Sequence, residues 1–126
     1  MKGMTEQEII QYFLSLLAQV KLFHWATMSY SKHKALDSLH GSLSEKVDSF
    51  VECYIGKYKK QPLKSFTIQS KAVSDTSGLD KFLDTTCEQL SVMHKAFEKD
   101  KAPELSNIIE EMMAEIDRTV YLAKLS

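Results

Sequence analysis

The sequence predicts an all-α protein: a four-helix bundle with one long crossover between the second and third helices. Three observations predict it. Only four glycines and two prolines punctuate 126 residues, too few for a turn-rich sheet protein. Four stretches of roughly twenty residues each carry apolar side chains at helical spacing. The intervals between them run short, long, short, the pattern of two helical hairpins joined by a crossover. The length fits one domain, residues 1–126, around a single core.

The first helix opens on Thr5-Glu6-Gln7-Glu8, which reads as a capping box: the Thr oxygen takes an orphan amide and Glu8 reaches back. Ile9, Ile10, Phe13, Leu16, Leu17, Val20, Phe23 and Trp25 follow at helical spacing. A helix from about Glu6 to Met28 is expected, with Trp25 as packing. Ser29-Tyr30-Ser31-Lys32 breaks the pattern, with Ser31 as the expected N-cap. The second helix then runs from about Lys32 to Ile55, with Leu36, Leu39, Leu43, Val47, Phe50, Val51 and Tyr54 as its stripe and Gly56 as its stop. The short connection makes these two helices antiparallel neighbours.

Residues from Lys57 to Thr76 show no clean period. Lys57, Lys59, Lys60 and Lys64 make the stretch basic, Pro62 breaks it, and the alternation of Phe66 and Ile68 suggests a short strand or an extended crossover. A loop of about 20 residues in a compact domain needs a reason, and a crossover supplies one. Ser77-Gly78-Leu79-Asp80 reads as another box-like start for a helix reaching about Glu98. Pro103 suits the first position of a fourth helix, which ends near Lys124. Met112-Met113 is read as core filling. A bundle with this one long crossover has the ferritin-like arrangement. An up-down-up-down bundle with a loose middle loop is the second reading.

Composition narrows the partners. A net charge of -1 and a pI near 6.4 leave no basic field for nucleic acid or an anionic membrane. The Lys57–Lys64 run is read as a solvated loop, and contact with DNA through it is the weakest reading. No apolar run approaches the ~20 residues of a membrane span. The stretch MKGMTEQEII lacks the apolar centre of a signal peptide. A cytoplasmic protein is expected, with Cys53 and Cys87 as half-buried thiols.

The chemistry concentrates between Lys21 and Glu52. On a wheel of the second helix, with His33 at zero, Asp37 falls near 40°, Asp48 near 60°, Glu52 near 100° and His40 about 20° to the other side. They form one flank beside the apolar stripe. His33/Asp37 and Asp48/Glu52 are each i, i+4 pairs, which one helical turn brings together. Imidazole with carboxylates and no thiolate suits iron, manganese or zinc. Asp37 and Asp48 lie about 16 Å apart along the helix, whereas a metal bonds its ligands at roughly 2 Å. One chain therefore cannot bring both pairs to one ion. Two copies of the helix packed antiparallel, centred between residues 42 and 43, would bring each His33/Asp37 pair to the partner's Asp48/Glu52 pair. Gly41, Ser42 and Ser44 are small enough there for close approach. Such a homodimer has two identical sites.

The spacing His33-x3-Asp37-x10-Asp48-x3-Glu52, preceded by Lys21 and His24-Trp25, resembles the Dps-like branch of the ferritin superfamily, the miniferritins. The sequence is also similar to small uncharacterised phage-type ferritin-like proteins. The Dps resemblance implies a ferroxidase centre shared across a dimer two-fold. His24, His33 and Asp37 of one subunit would face Asp48 and Glu52 of its mate, iron would be oxidised there, and His40 is a further candidate ligand. Three residues of the family pattern are missing between Ala26 and Lys32, and Cys53 stands where the family has Arg. Residue by residue, the blander reading makes this flank a solvated face or a polar dimer interface, and His24 a core histidine. A helical interaction protein without redox chemistry is therefore the alternative. Glu110, Glu111, Glu115 and Asp117 on the last helix are expected to be solvated.

Overall fold

The computed structural model describes residues 4–60, 65 and 67–125. Pro62, Lys64 and Phe66 lie outside the described residues, so the alternation expected of Phe66 and Ile68 does too. The elements are α1 (Glu6–Ala26), α2 (Tyr30–Tyr58), α3 (Leu79–Lys99) and α4 (Pro103–Ala123). Among the described residues there is no strand. The chain is an all-α four-helix bundle, as the glycine-poor, 3.6-periodic sequence predicts.

Side-chain pairs fix the directions of the helices. His24 meets His33 while Phe13 packs on Phe50, so α1 and α2 are antiparallel. Lys46 pairs with Glu111 and Lys57 with Glu104, so α2 and α4 are antiparallel. His94 meets Glu110 while Cys87 meets Asp117, so α3 and α4 are antiparallel. Phe23 packs on Phe82 while Tyr12 bonds Gln89, so α1 and α3 are antiparallel too. It follows that α2 and α3 are parallel. The segment between them must return along the bundle, which is the one-crossover topology and not the up-down-up-down alternative.

Side chains of α1 hold that crossover. Gln69 N–H donates to Ser15 Oγ at 2.8 Å. Lys71 N–H donates to Gln19 Oε1 at 2.6 Å, and the Gln19 amide donates to the Lys71 carbonyl at 3.0 Å. Nearer the start of α1, the Gln7 amide donates to the Ser65 carbonyl at 3.0 Å. Ser15 to Gln19 is four residues, or about 6 Å of helix. Gln69 to Lys71 is two residues, about 6.6 Å only when fully extended. The Gln69–Lys71 part of the crossover is therefore an extended strap lying along α1.

The core is continuous from end to end. Phe13, Phe50 and Phe97 are fully buried and meet at ring-centroid distances of 5.1 and 5.5 Å. Each contributes about 2–3 kcal/mol of burial. Leu36, Leu39, Leu43, Leu83, Leu90, Leu105, Ile109, Met112 and Ile116 extend that core along the bundle.

Several expected boundaries move. α1 stops at Ala26 and α2 begins at Tyr30, because Ser29, not Ser31, is the N-cap; its hydroxyl accepts from Lys32 N–H. Met28 is 97% exposed and has no apolar surface to extend α1 against. α2 runs through Gly56, since Tyr58 packs on the core and donates to Asp100 Oδ2 at 2.5 Å. The left-handed stop is Lys59, at φ 55°. Ser77 forms no capping box: Gly78 caps α3 without a side-chain bond, and Ser77 N–H goes to Asp75 Oδ1. Lys57 and Lys60 are not free loop cations, since they pair with Glu104 and Glu6.

Candidate metal centre

The last turn of α1 and the first turn of α2 meet through two histidines. His24 is buried and His33 half-buried. Their rings stack at 3.9 Å with 21° between planes. His24 Nδ1 lies 2.9 Å from the His33 carbonyl oxygen, and His33 Nδ1 lies 3.1 Å from the His24 carbonyl oxygen. A carbonyl can only accept, so both Nδ1 atoms carry protons and donate. The His24 carbonyl belongs to the last turn of α1, where helix carbonyls have no helical partner; the His33 ring supplies one.

This exchange fixes the tautomer. With Nδ1 protonated, a neutral imidazole presents its lone pair at Nε2, as metal-ligating histidines do when a backbone carbonyl holds the other nitrogen. His24 Nε2 stands 4.0 Å from Asp37 Oδ1. Two bonds of roughly 2.1 Å can span that separation. His40 lies close enough to this group to sense it. Burial, first, and then Lys21 and His24 hold its imidazole below the usual range, with Asp37 opposing them.

Asp48 and Glu52 are exposed farther along α2 and have no ion-pair or hydrogen-bond partner among the described residues. Asp48 lines a shallow groove with Leu14, Leu17, Gly41 and Ser44. A Cβ built on Gly41 meets nothing within 4 Å. The structure thus brings His24, His33 and Asp37 to one end of the α1–α2 hairpin and leaves Asp48 and Glu52 apart on the same outer surface. Among the described residues, no three such side chains converge to hold a metal within one chain.

Trp25 departs from its expected packing role. It is 68% exposed, with the Lys21 ammonium 5.9 Å from its ring centroid. Ile10, Leu14 and Leu17, which share its register on α1, are half-buried, and Leu17 packs against the core. Cys53 is exposed, not half-buried as expected. Glu110, Glu111 and Asp117 on α4 are exposed, as expected, and each also meets a partner: Glu110 meets His94, Glu111 meets Lys46, and Asp117 meets Cys87. Sequence reasoning passed over His94, which meets Glu110 at 2.9 Å and Glu98 at 3.4 Å. Its i, i+4 spacing from Glu98 was the available signal. No helix is long and apolar enough to cross a membrane among the described residues.

A model of a family of unknown function (DUF5856) matches residues 24–123, starting at His24 and taking in the candidate centre. The chain is 28% identical over 118 residues to an uncharacterized 14.6 kDa protein in the mobD-ri intergenic region of Enterobacteria phage T4; the match spans 91% of this chain and 87% of that protein. No solved structure matches. Neither description mentions iron or the Dps-like branch.

Proposed function

We propose that this chain, which belongs to the DUF5856 family of unknown function, binds Fe(II) as a substrate at a site completed by a second copy of itself. The observation that carries this reading is His24 Nε2, freed as a lone pair by the Nδ1 bond to His33 and facing Asp37 at 4.0 Å. The donor set suits iron, and manganese or zinc would compete for it. The second copy would supply Asp48 and Glu52, both exposed and unpartnered. Three features support the two-fold: the groove that Leu14 and Leu17 line beside Asp48, the open space at Gly41, and the symmetry of the residue spacing about positions 42 and 43. His24, His33, Asp37, Asp48 and Glu52 would hold the metal, with His40 at its edge. With hydrogen peroxide as oxidant, two Fe(II) ions would each release one electron. The O–O bond breaks, and with two protons the peroxide leaves as two waters. Two free thiols agree with a reducing, cytoplasmic setting.

The second reading keeps the dimer without the redox step. The reciprocal histidine bonds favour it to this extent: they join α1 and α2 through ring and backbone groups of the chain itself.

Anaerobic Fe(II) titration separates the two readings. The wild type should saturate at about one or two ions per chain, and Asp37→Ala or Glu52→Ala alone should abolish binding. Refolding an equal mixture of those two variants rebuilds one intact site per heterodimer, so about half of the heterodimer's binding should return. Wild-type binding no stronger than that of a chain carrying both Asp37→Ala and Glu52→Ala would end the iron reading. Loss in both variants without recovery on mixing would end the shared site.

A further inference from the structure

The strap leaves one backbone edge unused. In extended chain, the N–H and C=O of alternate residues point to opposite sides. The N–H of Gln69 goes to Ser15, and the N–H and C=O of Lys71 go to Gln19, all on α1. Those of Ser70 and Ala72 therefore point away from α1, and they have no protein partner among the described residues. Both residues are exposed and line a cleft of about 990 Å³ between the strap, α1 and α3. No hydrogen bond joins Gln69–Asp75 to α3. An edge of this kind is a template for another extended chain.

The far wall says what that chain would be. Thr85 and Gln89 on α3 offer neutral donors and acceptors, while Tyr12, Phe23 and Phe82 supply aromatic surface. The charges at the rim cancel, Lys71 and Lys81 against Glu8 and Asp75. A wall without net field does not select a charged ligand. We infer that the strap–α3 cleft is a binding site for an extended, uncharged peptide segment, which adds as a strand to the Ser70–Ala72 edge and lays alternate side chains against Phe82 and Tyr12. The site is independent of the candidate metal centre, which lies on the outer α1–α2 surface.

The test uses the full chain and a phage-displayed library of random heptapeptides. Enriched sequences, synthesised with acetyl and amide caps, are titrated against labelled protein by amide NMR. The expected result is enrichment of uncharged sequences, with slowed exchange at the Ser70 and Ala72 amides and shifts at Thr85 and Gln89. Ala72→Pro removes one N–H from the free edge and spares the bonds to α1, since extended backbone accepts proline. It should weaken binding about tenfold, the loss of one well-made hydrogen bond. Thr85→Trp, which fills the cleft from the opposite wall, should weaken it without touching the strap. Four results would overturn the inference: no enrichment, equal binding by both variants, shifts confined to the outer α1–α2 surface, or a wild-type dimer that Ala72→Pro abolishes, which would make a second copy the occupant.

Discussion

His24 and His33 hold the α1–α2 hairpin closed by trading ring for backbone: each Nδ1–H bonds the other's carbonyl oxygen, at 2.9 and 3.1 Å, beneath rings stacked at 3.9 Å. Replacing His33 by Ala removes one donor, strands a helix-terminal carbonyl and uncovers the buried His24 ring. A loss of about 1–3 kcal/mol is expected in urea unfolding. His24→Asn separates structure from chemistry. The Asn amide can supply a donor near the Nδ1 position but has nothing to replace Nε2. It should keep most of the stability that His33→Ala loses, while still losing Fe(II) binding in the anaerobic titration.

The α3–α4 turn offers a prediction of opposite sign. Ala102 N–H bonds the Phe97 carbonyl and Lys101 N–H bonds the Glu98 carbonyl, which is a Schellman ending with Lys101 at φ 57° in the left-handed position. A side chain there costs about 1–2 kcal/mol, and glycine gives back part of that gain as unfolded-chain entropy. Lys101→Gly should raise stability by about 0.5–1 kcal/mol, seen as a higher thermal midpoint. A lower midpoint would mean that the lysine side chain holds something the backbone does not reveal.

What the sequence made legible follows the range of the forces involved. The helices were readable because Phe13, Phe50 and Phe97 recur with their neighbours at the period of one buried face. The crossover topology was readable because one interval is too long for a hairpin loop. Cap positions were less legible. Ser29 and Ser31 are equally good caps locally, and the choice between them is settled by where Met28 and Tyr30 find no core to join. An extended crossover was among the readings of the sequence, but its seat was hidden because Gln7, Ser15 and Gln19 read as ordinary polar positions of a helix until an extended chain is laid along them. Trp25 misled for a related reason: its register matches the half-buried Ile10, Leu14 and Leu17, but near the end of α1 its own ring lies in solvent. For the site, the flank of α2 was legible from the wheel. The His24–His33 exchange was not, since it joins side chains to backbone groups across a turn.

His40 gives the hairpin a pH dependence. Burial, Lys21 and His24 lower its folded-state affinity for protons, with Asp37 working against them. The unfolded chain should titrate near 6.5. Between the two values the unfolded state binds more protons, so stability falls as the solution is acidified. This contribution is complete above about pH 6.5 and lost as pH drops through the lower folded value. Thermal midpoints of the wild type and His40→Gln, compared from pH 7.5 downward, should converge or cross on acidification. A constant difference across that range would remove His40 as the titrating group.

Cys87 and Cys53 should differ sharply as nucleophiles. Cys53 is exposed on α2. Burial raises the Cys87 thiol to about 11, and the Asp117 carboxylate reinforces that rise by its charge and by accepting from Sγ at 3.7 Å. At pH 8 only about 0.1% of Cys87 would be thiolate, and thiolate is the reacting form. Titration of the native chain with a disulfide reagent should therefore show one fast equivalent and one slow. Cys53→Ser should abolish the fast phase, and Cys87→Ala the slow one. Asp117→Asn removes the negative charge beside Sγ, so it should speed the slow phase at constant pH while leaving the fast phase alone. An unchanged slow phase in that variant would assign the protection to burial and to opening of the α3–α4 pair, with no electrostatic share for Asp117.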